Sequence, residues 1–303
     1  MILFPNMYLF FFTLLAFCVF GVETASTDDG EARPRLDDGV QEARTTAVNW
    51  QGMSARKTQP EPPLKLEALP KVPKTALRVL IDAGHGGKDL GAMGMGAITE
   101  KNLCLRLTRM IKRELEREQK LKDLPLEIGL TRDTDEFFAP WERAKMANEW
   151  NADLFVSIHA NYSDFAKARG FEVYFLSADS KDLSVRKLAK FENGGVLPQA
   201  VKSDVRSMLL EVQASHHISQ SSQLAEKIFQ SMSRRVRPNG RGIKQGPFSV
   251  LSNTIMPAVL VEIGYLSNPD EAVNFLNGHY LKRMANAIST GIVEYLLMIK
   301  KLG

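Results

Sequence analysis

The sequence predicts an α/β fold: a single domain with a mainly parallel or mixed sheet of about six strands, flanked by helices on both faces. From residue 76 onward, apolar runs of strand length alternate with stretches of helical periodicity. This is the pattern of strands joined by crossover helices. The run Leu154 to Ile158 is almost continuously apolar, as is typical of a strand that is covered on both faces.

Each predicted element has its own signal. The first strand stops at the glycine-rich turn Gly84-His85-Gly86-Gly87. The next helix follows Thr99, a predicted N-cap, and a later helix begins at Pro140, because proline fits the first helical position. The predicted elements in order are strand Leu77 to Ala83, helix Glu100 to Glu118, strand Leu126 to Thr131, helix Pro140 to Trp150, strands Leu154 to Ile158 and Phe171 to Leu176, a short strand containing Val250 and Leu251, strand Ala258 to Glu262, and a helix from Tyr280 to about Ile299.

The first 75 residues have a different composition from the rest of the 303-residue chain. Tyr8 to Val22 is almost purely apolar and uncharged, which predicts the core of a secretory signal peptide over 1–25. An uncleaved membrane anchor is the alternative. Residues 26–75 alternate charges and then become rich in proline, so we expect a disordered linker that tethers the domain at 76–303.

Charge and cysteine content narrow the function classes. The net charge of +4 is mild and does not indicate a nucleic-acid binder. If a signal peptide is removed, Cys18 goes with it and Cys104 is left without a partner for an intramolecular disulfide. No feature of the sequence argues for an oligomer, so we expect a monomer.

Four residues of metal-ligand type lie where predicted elements begin or end. His85, His159 and Glu262 follow or close apolar runs, and Glu100 opens a helix. Because ligands bind at the carboxyl ends of parallel strands, we expect these side chains to share one crevice. Two histidines and a carboxylate make a common open zinc site, with water in the fourth position.

The sequence therefore predicts one zinc ion per chain on His85, Glu100 and His159. Glu262 would be the carboxylate that does not bind metal. It would take a proton from the attacking water and pass it to a leaving amine. This is the chemistry of amide hydrolysis without a covalent intermediate.

Other interpretations of these residues stay open at this point. A histidine at a strand end can be structural, and Glu100 can simply favour the start of a helix. The glycine-rich turn could cradle a phosphate, but it lacks the Gly-Lys-Ser/Thr ending of a phosphate-binding loop. Ser157 lies near His159 without the G-x-S-x-G pattern of a serine hydrolase.

Further cysteine and histidine residues lie outside this set. Cys104 could be a further ligand, although a small buried apolar residue fits its helical position better. His216 and His217 could form a second metal site, but a solvated pair fits their spacing better. His279 begins the last predicted helix without an evident partner.

Residues 177–219 interrupt the alternation of strands and helices. Two amphipathic stretches can be identified there. One places Glu192 on an otherwise apolar face with Val185, Leu188 and Ala189, and the other consists of Val201, Val205, Met208, Leu209 and Val212. A buried carboxylate is costly unless it is paired or bound to metal. The alternative is that the helix rotates slightly and Glu192 reaches water.

Several motifs together resemble the zinc-dependent N-acetylmuramoyl-L-alanine amidases of the amidase-3 family. The similarity runs from about Arg78 to Leu296 in the family's motif order. The motifs are Ile81-Asp82-Ala83-Gly84-His85-Gly86-Gly87, Thr99-Glu100-Lys101, Leu130-Thr131-Arg132, Ser157-Ile158-His159-Ala160-Asn161, Pro257-Ala258-Val259-Leu260-Val261-Glu262 and Gly264-Tyr265-Leu266-Ser267-Asn268. The resemblance implies a bacterial cell-wall hydrolase that cuts between the lactyl group of N-acetylmuramic acid and L-alanine of the peptidoglycan stem peptide.

The resemblance also implies site residues, regulation and location. It implies zinc on His85, Glu100 and His159, with Glu262 catalytic, and it places Asn161 near the metal, either in the site wall or as a loop-capping amide. The division-associated amidases carry an insertion whose glutamate occupies the open zinc position, here Glu192. The resemblance further implies that a LytM-type activator of the division machinery relieves this autoinhibition during daughter-cell separation, and that the protein is exported to the periplasm.

Two other functions remain as hypotheses. A different zinc peptidase could act on the stem peptide rather than on its junction with the lactyl group. A non-catalytic wall-binding module would be expected to have lost at least one of the four chemical residues, and all four are present.

Overall fold

The computed structural model describes residues 76–94, 98–195, 205–236 and 240–302, and their side chains except those of 205–216, 301 and 302. All of these residues belong to one compact unit, Ala68–Gly303. The predicted signal peptide at 1–25 and the predicted linker at 26–75 lie outside the described residues, as does Cys18. Among the described residues, no helix is both long and apolar enough to cross a membrane.

Six strands form one mixed sheet, in the order β2-β1-β3-β6-β4-β5. Strands β2, β1, β3 and β6 are parallel to one another, whereas β4 runs antiparallel to β6 and parallel to β5. The strands are β1 Leu77–Ala83, β2 Leu126–Leu130, β3 Leu154–Asn161, β4 Glu172–Leu176, β5 Ile243–Gly246 and β6 Ala258–Tyr265. The prediction of a six-stranded, mainly parallel or mixed sheet is confirmed.

Helices cover both faces of the sheet, as predicted. The helices are α1 Glu100–Lys122, α2 Pro140–Glu149, α3 Leu183–Glu192, α4 Val205–Arg235, α5 Ser249–Ser252, α6 Pro269–Leu276 and α7 Gly278–Leu302. Alternate residues of β1 point to the two faces of the sheet. Val79 and Ile81 belong to the core that contains side chains of α1, α4 and α7, while Leu80 belongs to the core that contains side chains of α2, α3 and α5. Because each fully buried aliphatic side chain contributes roughly 1.5–3 kcal/mol, these two cores hold the strand ends in place.

Some predicted boundaries shift at the strands that carry the site. Strand β3 continues past Ile158 to Asn161, and β6 continues past Glu262 to Tyr265. His159 and Glu262 therefore lie within their strands, near the carboxyl ends, and face each other as partners on the two neighbouring strands. The strands run on because every residue of both is buried on one face or the other.

The short strand predicted at Val250 and Leu251 is wrong, because both residues lie in helix α5. Two apolar residues are too few to distinguish a strand from one helical turn. Strand β5 and helix α6 were not predicted. The sequence of β5 is Ile-Lys-Gln-Gly, which lacks the apolar run expected of a buried strand, and it lies at the edge of the sheet.

The insertion at 177–219 contains the first predicted helix, which is α3. Its buried face consists of Val185, Leu188 and Ala189, as the pattern predicted. Residues 196–204 lie outside the described part, and so do the side chains of the second predicted face. Helix α4 begins at Val205 and continues past residue 219 to Arg235, so the predicted boundary at 219 falls within a helix.

Candidate metal centre

Four side chains from separate elements converge at one end of the sheet. One ligand atom from each of His85, Glu100, His159 and Glu192 lies within 4.8 Å of the other three. All four side chains are buried, with side-chain exposures of 1–7%. The structure thus brings together the three predicted zinc ligands and the predicted inhibitory glutamate. Their roles stay predictions.

His85 follows β1 in the left-handed backbone conformation, with φ at 58°. Its Nδ1 atom contacts Asp89 Oδ2 at 2.9 Å, which leaves Nε2 facing Glu100 Oε1 at 3.1 Å. The backbone of this turn is also braced, since Arg143 Nη2 donates to the His85 carbonyl at 2.7 Å and Arg132 Nη2 donates to the Gly84 carbonyl at 2.7 Å. The histidine is therefore oriented by contacts on both its ring and its backbone.

Glu100 is the first residue of α1 and is fully buried. Its Oε2 accepts a hydrogen bond from the Ala92 amide at 2.8 Å, and its Oε1 accepts one from the Ala160 amide at 2.9 Å. These bonds fix the carboxylate between the turn and β3. Thr99 occupies the predicted N-cap position, but its side chain makes no capping hydrogen bond.

Glycines in the turn make room for the converging side chains. A Cβ atom on Gly84 would lie 2.5 Å from Cε1 of His159. A Cβ atom on Gly91 would lie 2.6 Å from both Glu100 Oε2 and His85 Cδ2, and this glycine has a φ of 63°. Glycine is required at these two positions because the side chains of His85, Glu100 and His159 approach the backbone closely. This explains the two glycines without a bound phosphate.

The charges of the cluster favour a bound cation. Burial opposes ionisation, yet the charge of His85 holds the pKa of Glu100 below its ordinary value, and the charge of His159 does the same for Glu192. Burial also opposes protonation of His159, but the charge of Glu192 and the hydrogen bond with Glu100 raise its pKa to about 10. The pKa of His85 is raised for the same reasons, with Glu100 as the main favourable partner.

The donor set fits a divalent metal. Glu192 Oε2 lies 2.8 Å from His159 Nδ1 and 3.4 Å from His85 Nε2. Although these atoms are close, neither Glu192 Oε2 nor His85 Nε2 has the alignment of a hydrogen bond with any partner. Within the cluster, His159 Nδ1 does form a hydrogen bond with Glu100 Oε1 at 3.1 Å. The two buried atoms left without a hydrogen bond converge on the same space, as is expected around a metal ion, and imidazole with carboxylate is a zinc-type donor set.

Glu262 lies beside this cluster without belonging to it. It pairs in the sheet register with His159 on β3 and with Glu172 on β4. It is fully buried, and neither of its oxygens has a hydrogen-bond partner. Burial, and then the negative charge of Glu192, raises the pKa of Glu262 well above its ordinary value. Such a carboxyl group can hold a proton and release it to a neighbour.

Glu172 was not predicted as a site residue, although it adjoins Glu262. Its carboxylate accepts hydrogen bonds from Tyr174 Oη at 2.7 Å and Arg241 Nε at 3.0 Å, and it lies 2.8 Å from Lys244 Nζ. Burial raises its pKa, but Lys244 and Tyr174 outweigh that effect and lower it. A glutamate within the apolar run of β4 was the available sequence signal.

Asn161 makes a local hydrogen bond and also faces a cavity. Its Oδ1 accepts a hydrogen bond from the Tyr162 amide at 2.8 Å, as a loop-capping amide would. It also lines a cavity of about 380 Å³ with Phe191 and Arg241. A position in the wall of the substrate site stays a prediction.

The remaining candidates do not join the metal cluster. Cys104 is a buried free thiol, and burial raises its pKa well above the ordinary value. Ser157 donates to Asp82 Oδ2 at 2.6 Å within a buried network. His217 contacts Gln220, whereas the side chain of His216 lies outside the described part. Among the side chains that the structure describes, there is no second cluster of metal-ligand type.

Comparison with known proteins identifies similar chains. Residues 79–294 match the family model described as N-acetylmuramoyl-L-alanine amidase. The amidase AmiA of Salmonella typhimurium is 30% identical over 234 residues, which covers 75% of this chain and 79% of AmiA. The amidase AmiC of Neisseria meningitidis is 29% identical over 223 residues, and the chain spans about half of its length, 52%.

Solved structures of similar sequence have the same fold. The catalytic domain of CwlV from Bacillus (Paenibacillus) polymyxa is 31% identical, with a TM-score of 0.56 over 73% of this chain and 98% of that domain. The amidase AmiC2 of Nostoc punctiforme is 29% identical, with a TM-score of 0.55 over 73% of this chain and 97% of that chain.

Proposed function

Because the chain belongs to the N-acetylmuramoyl-L-alanine amidase family, we propose that it hydrolyses the amide bond between the lactyl group of N-acetylmuramic acid and L-alanine of the peptidoglycan stem peptide. The observation that carries this proposal is the convergence of His85, Glu100 and His159 beside the buried Glu262. A metal-ligand set next to a carboxyl group with a raised pKa supplies the two parts that amide hydrolysis needs.

His85, Glu100 and His159 would hold one zinc ion. When bound, zinc supplies a Lewis acid that polarises the scissile carbonyl and lowers the pKa of water. Asp89 orients His85 through Nδ1, and the amides of Ala92 and Ala160 orient Glu100. These hydrogen bonds to the proposed ligand side chains limit the positions that their metal-binding atoms can take.

Glu262 would move the proton. In the proposed reaction, a water oxygen bonds to the carbonyl carbon, the carbon–nitrogen bond breaks, and Glu262 carries a proton from the water to the leaving L-alanine amine. The charge of Glu192 is one cause of the raised pKa of Glu262. Removing Glu192 from the site would therefore lower that pKa and increase the fraction of Glu262 that is ionised and able to accept a proton.

Helix α3 would keep the enzyme inactive at rest. Glu192 is the last residue of α3 and reaches both histidines, so it stands where a substrate oxygen would approach. The apolar face of α3 packs into the second core through Val185, Leu188 and Ala189. We propose that Glu192 is the fourth zinc ligand in this state and that activation requires α3 to move away.

The cellular context follows from the same proposal. A LytM-type activator of the division machinery would displace α3, and the second part of the insertion would recruit it. The hydrophobic segment at 8–22 would direct export, with the domain acting as a monomer in the periplasm on the end of the 26–75 linker. The reaction would serve cell-wall remodelling and separation of daughter cells.

Product identity tests the proposed reaction. Purified peptidoglycan is digested with the chain and with its Glu192→Ala variant, zinc is assayed in both, and the soluble products are analysed by mass spectrometry. Released stem peptides with an L-alanine amino terminus are the expected result. Shortened stem peptides still attached to sugar would indicate a peptidase instead, and binding without cleavage by folded, zinc-loaded protein would indicate a wall-binding module.

A further inference from the structure

The backbone on either side of Phe248 presents a carbonyl and an amide to one side chain. Asn193 Nδ2 donates a hydrogen bond to the Pro247 carbonyl oxygen at 2.8 Å. The Ser249 amide donates one to Asn193 Oδ1 at 2.7 Å. Asn193 is the C-cap residue of helix α3, directly after Glu192.

The Pro247 carbonyl and the Ser249 amide are arranged like the backbone groups through which an extended residue pairs with one residue of a neighbouring strand. Phe248 is extended, with φ at −82° and ψ at 120°. In a parallel ladder, one residue of the added strand donates to the carbonyl before the facing residue and accepts from the amide after it. The Asn193 carboxamide makes both of these bonds. It therefore occupies the place where one residue of an extended peptide would pair.

The two backbone groups are held in position without Asn193. The Phe248 ring is fully buried and packs edge-on against Tyr174, with ring centroids 5.0 Å apart. Ser249 is the first residue of α5, so its amide has no partner within the helix. A fixed carbonyl and an amide that needs an acceptor form a preorganised site, which lowers the entropic cost of binding a peptide.

The position of this site suits the substrate of the neighbouring cluster. Val250, the residue after Ser249, lines a small space together with His85, His159 and Glu192. Glu192 and Asn193 are adjacent on one helix end, so a single movement of α3 would open the metal cluster and the backbone pair together.

We propose that the Pro247 carbonyl and the Ser249 amide bind the backbone of the peptidoglycan stem peptide by parallel strand pairing, and that Asn193 mimics this peptide in the closed state. This inference rests on the proposed amidase function and adds a subsite to it. Main-chain pairing of this kind recognises an extended peptide independently of its side chains.

The first test compares two substitutions of Ser249 in an opened chain that carries Glu192→Ala and Asn193→Ala. Ser249→Pro removes only the amide donor. Proline is tolerated at the first position of a helix, and the extended Phe248 meets the requirement for the residue before proline. Ser249→Ala is the matched control because it keeps the amide. A synthetic stem tetrapeptide with a free L-alanine amino terminus is titrated against each zinc-loaded chain by calorimetry.

The Ser249→Pro chain should bind the tetrapeptide about three- to tenfold more weakly than the Ser249→Ala chain, which is the effect of one lost hydrogen bond. A set of peptides is then compared, each N-methylated at a different amide. Only one of them should bind the Ser249→Ala chain about three- to tenfold more weakly, because a single peptide amide donates to the Pro247 carbonyl. Asn148→Ala is a second control: Asn148 forms the same two-bond clamp with Asn253 and Ile255, and its loss should not change peptide affinity.

Equal affinities of the Ser249→Pro and Ser249→Ala chains would overturn the proposal, and so would a lack of peptide binding by every opened chain. Failure of the amidase function is detected separately, by the absence of released stem peptides when the Glu192→Ala chain digests peptidoglycan. A chain that releases stem peptides but shows no difference at Ser249 would be an amidase without this subsite.

Discussion

Replacing Glu192 with alanine should raise the basal amidase activity of the purified chain. The Glu192 carboxylate lies 2.8 Å from His159 Nδ1 and 3.4 Å from His85 Nε2 in a buried site. A hydrogen bond to a charged group contributes about 1.5–3 kcal/mol, and we take one such contribution as the scale of the attraction between this carboxylate and the two histidines. If one such contribution holds α3 closed, its loss shifts the closed-to-open ratio about 10- to 150-fold.

The gain should appear in the rate at which stem peptides are released from peptidoglycan. The expected increase is about 10- to 150-fold while the open form remains the minor one. Asn193 and the apolar face of α3 continue to favour the closed form, so the increase should not exceed this range. Lys190→Ala is the matched control, because Lys190 is an exposed residue of the same helix, and its activity should stay within about twofold of the unchanged chain.

Zinc content and thermal stability must be measured on the same samples. An increase in activity that accompanies equal zinc content supports displacement of α3. Unchanged or lower activity in a folded Glu192→Ala chain with the same zinc content would refute the idea that this carboxylate blocks the site.

Glu262→Gln should keep its zinc but release stem peptides about 10²- to 10⁴-fold more slowly, and a smaller loss would show that another group carries the proton. Gly84→Ala should destabilise the fold by about 1–3 kcal/mol and lower zinc content, because its Cβ meets His159; an unchanged urea midpoint would contradict this packing. Asp82→Asn should cost about 3–5 kcal/mol at pH 7 by breaking the buried pair with Arg143. Burial raises the pKa of Asp82, but Arg143 and two hydroxyl donors lower it overall. Its stabilisation is thus present above pH 3.8 and is lost as pH falls through the lower folded pKa, a dependence that urea titrations of the variant should lack. Chelation of the metal should lower the Tm and added zinc should restore it, since a ligand of the folded state stabilises that state; a Tm indifferent to both would argue against a bound metal.

The sequence was sufficient for the part of the fold that long apolar runs determine. The first strand, the third strand and the helix from Glu100 could be predicted because each has a strong periodic signal that packing reinforces. Strand β5 could not, since its four residues are mostly polar and are held by pairing with β4. The continuity of α4 through residue 219 was also hidden, because Ser, His and Gln residues separate its apolar positions.

The site residues could be predicted where a histidine or a glutamate lies at the end of a predicted strand or at the start of a predicted helix. His85, Glu100, His159 and Glu262 have that property, and Glu192 was evident as a carboxylate on an apolar face. The supporting contacts were not predictable, because they join distant parts of the chain, as Arg143 and Asp82 do across 61 residues. The same holds for the clamp between Asn193 and the backbone around Phe248, which only the packing of α3 against the sheet brings together.

We propose that His85, Glu100, His159 and Glu192 share one zinc ion in the resting protein. X-ray absorption at the zinc edge, recorded on the purified chain and on its Glu192→Ala variant, tests it most directly. We predict one zinc per chain in both, bound by two imidazoles and by oxygen at about 2.0–2.2 Å, with water replacing one carboxylate oxygen in the variant. A sulfur atom bound to the zinc would implicate Cys104 and contradict this ligand set. A chain that takes up no zinc would contradict it as well.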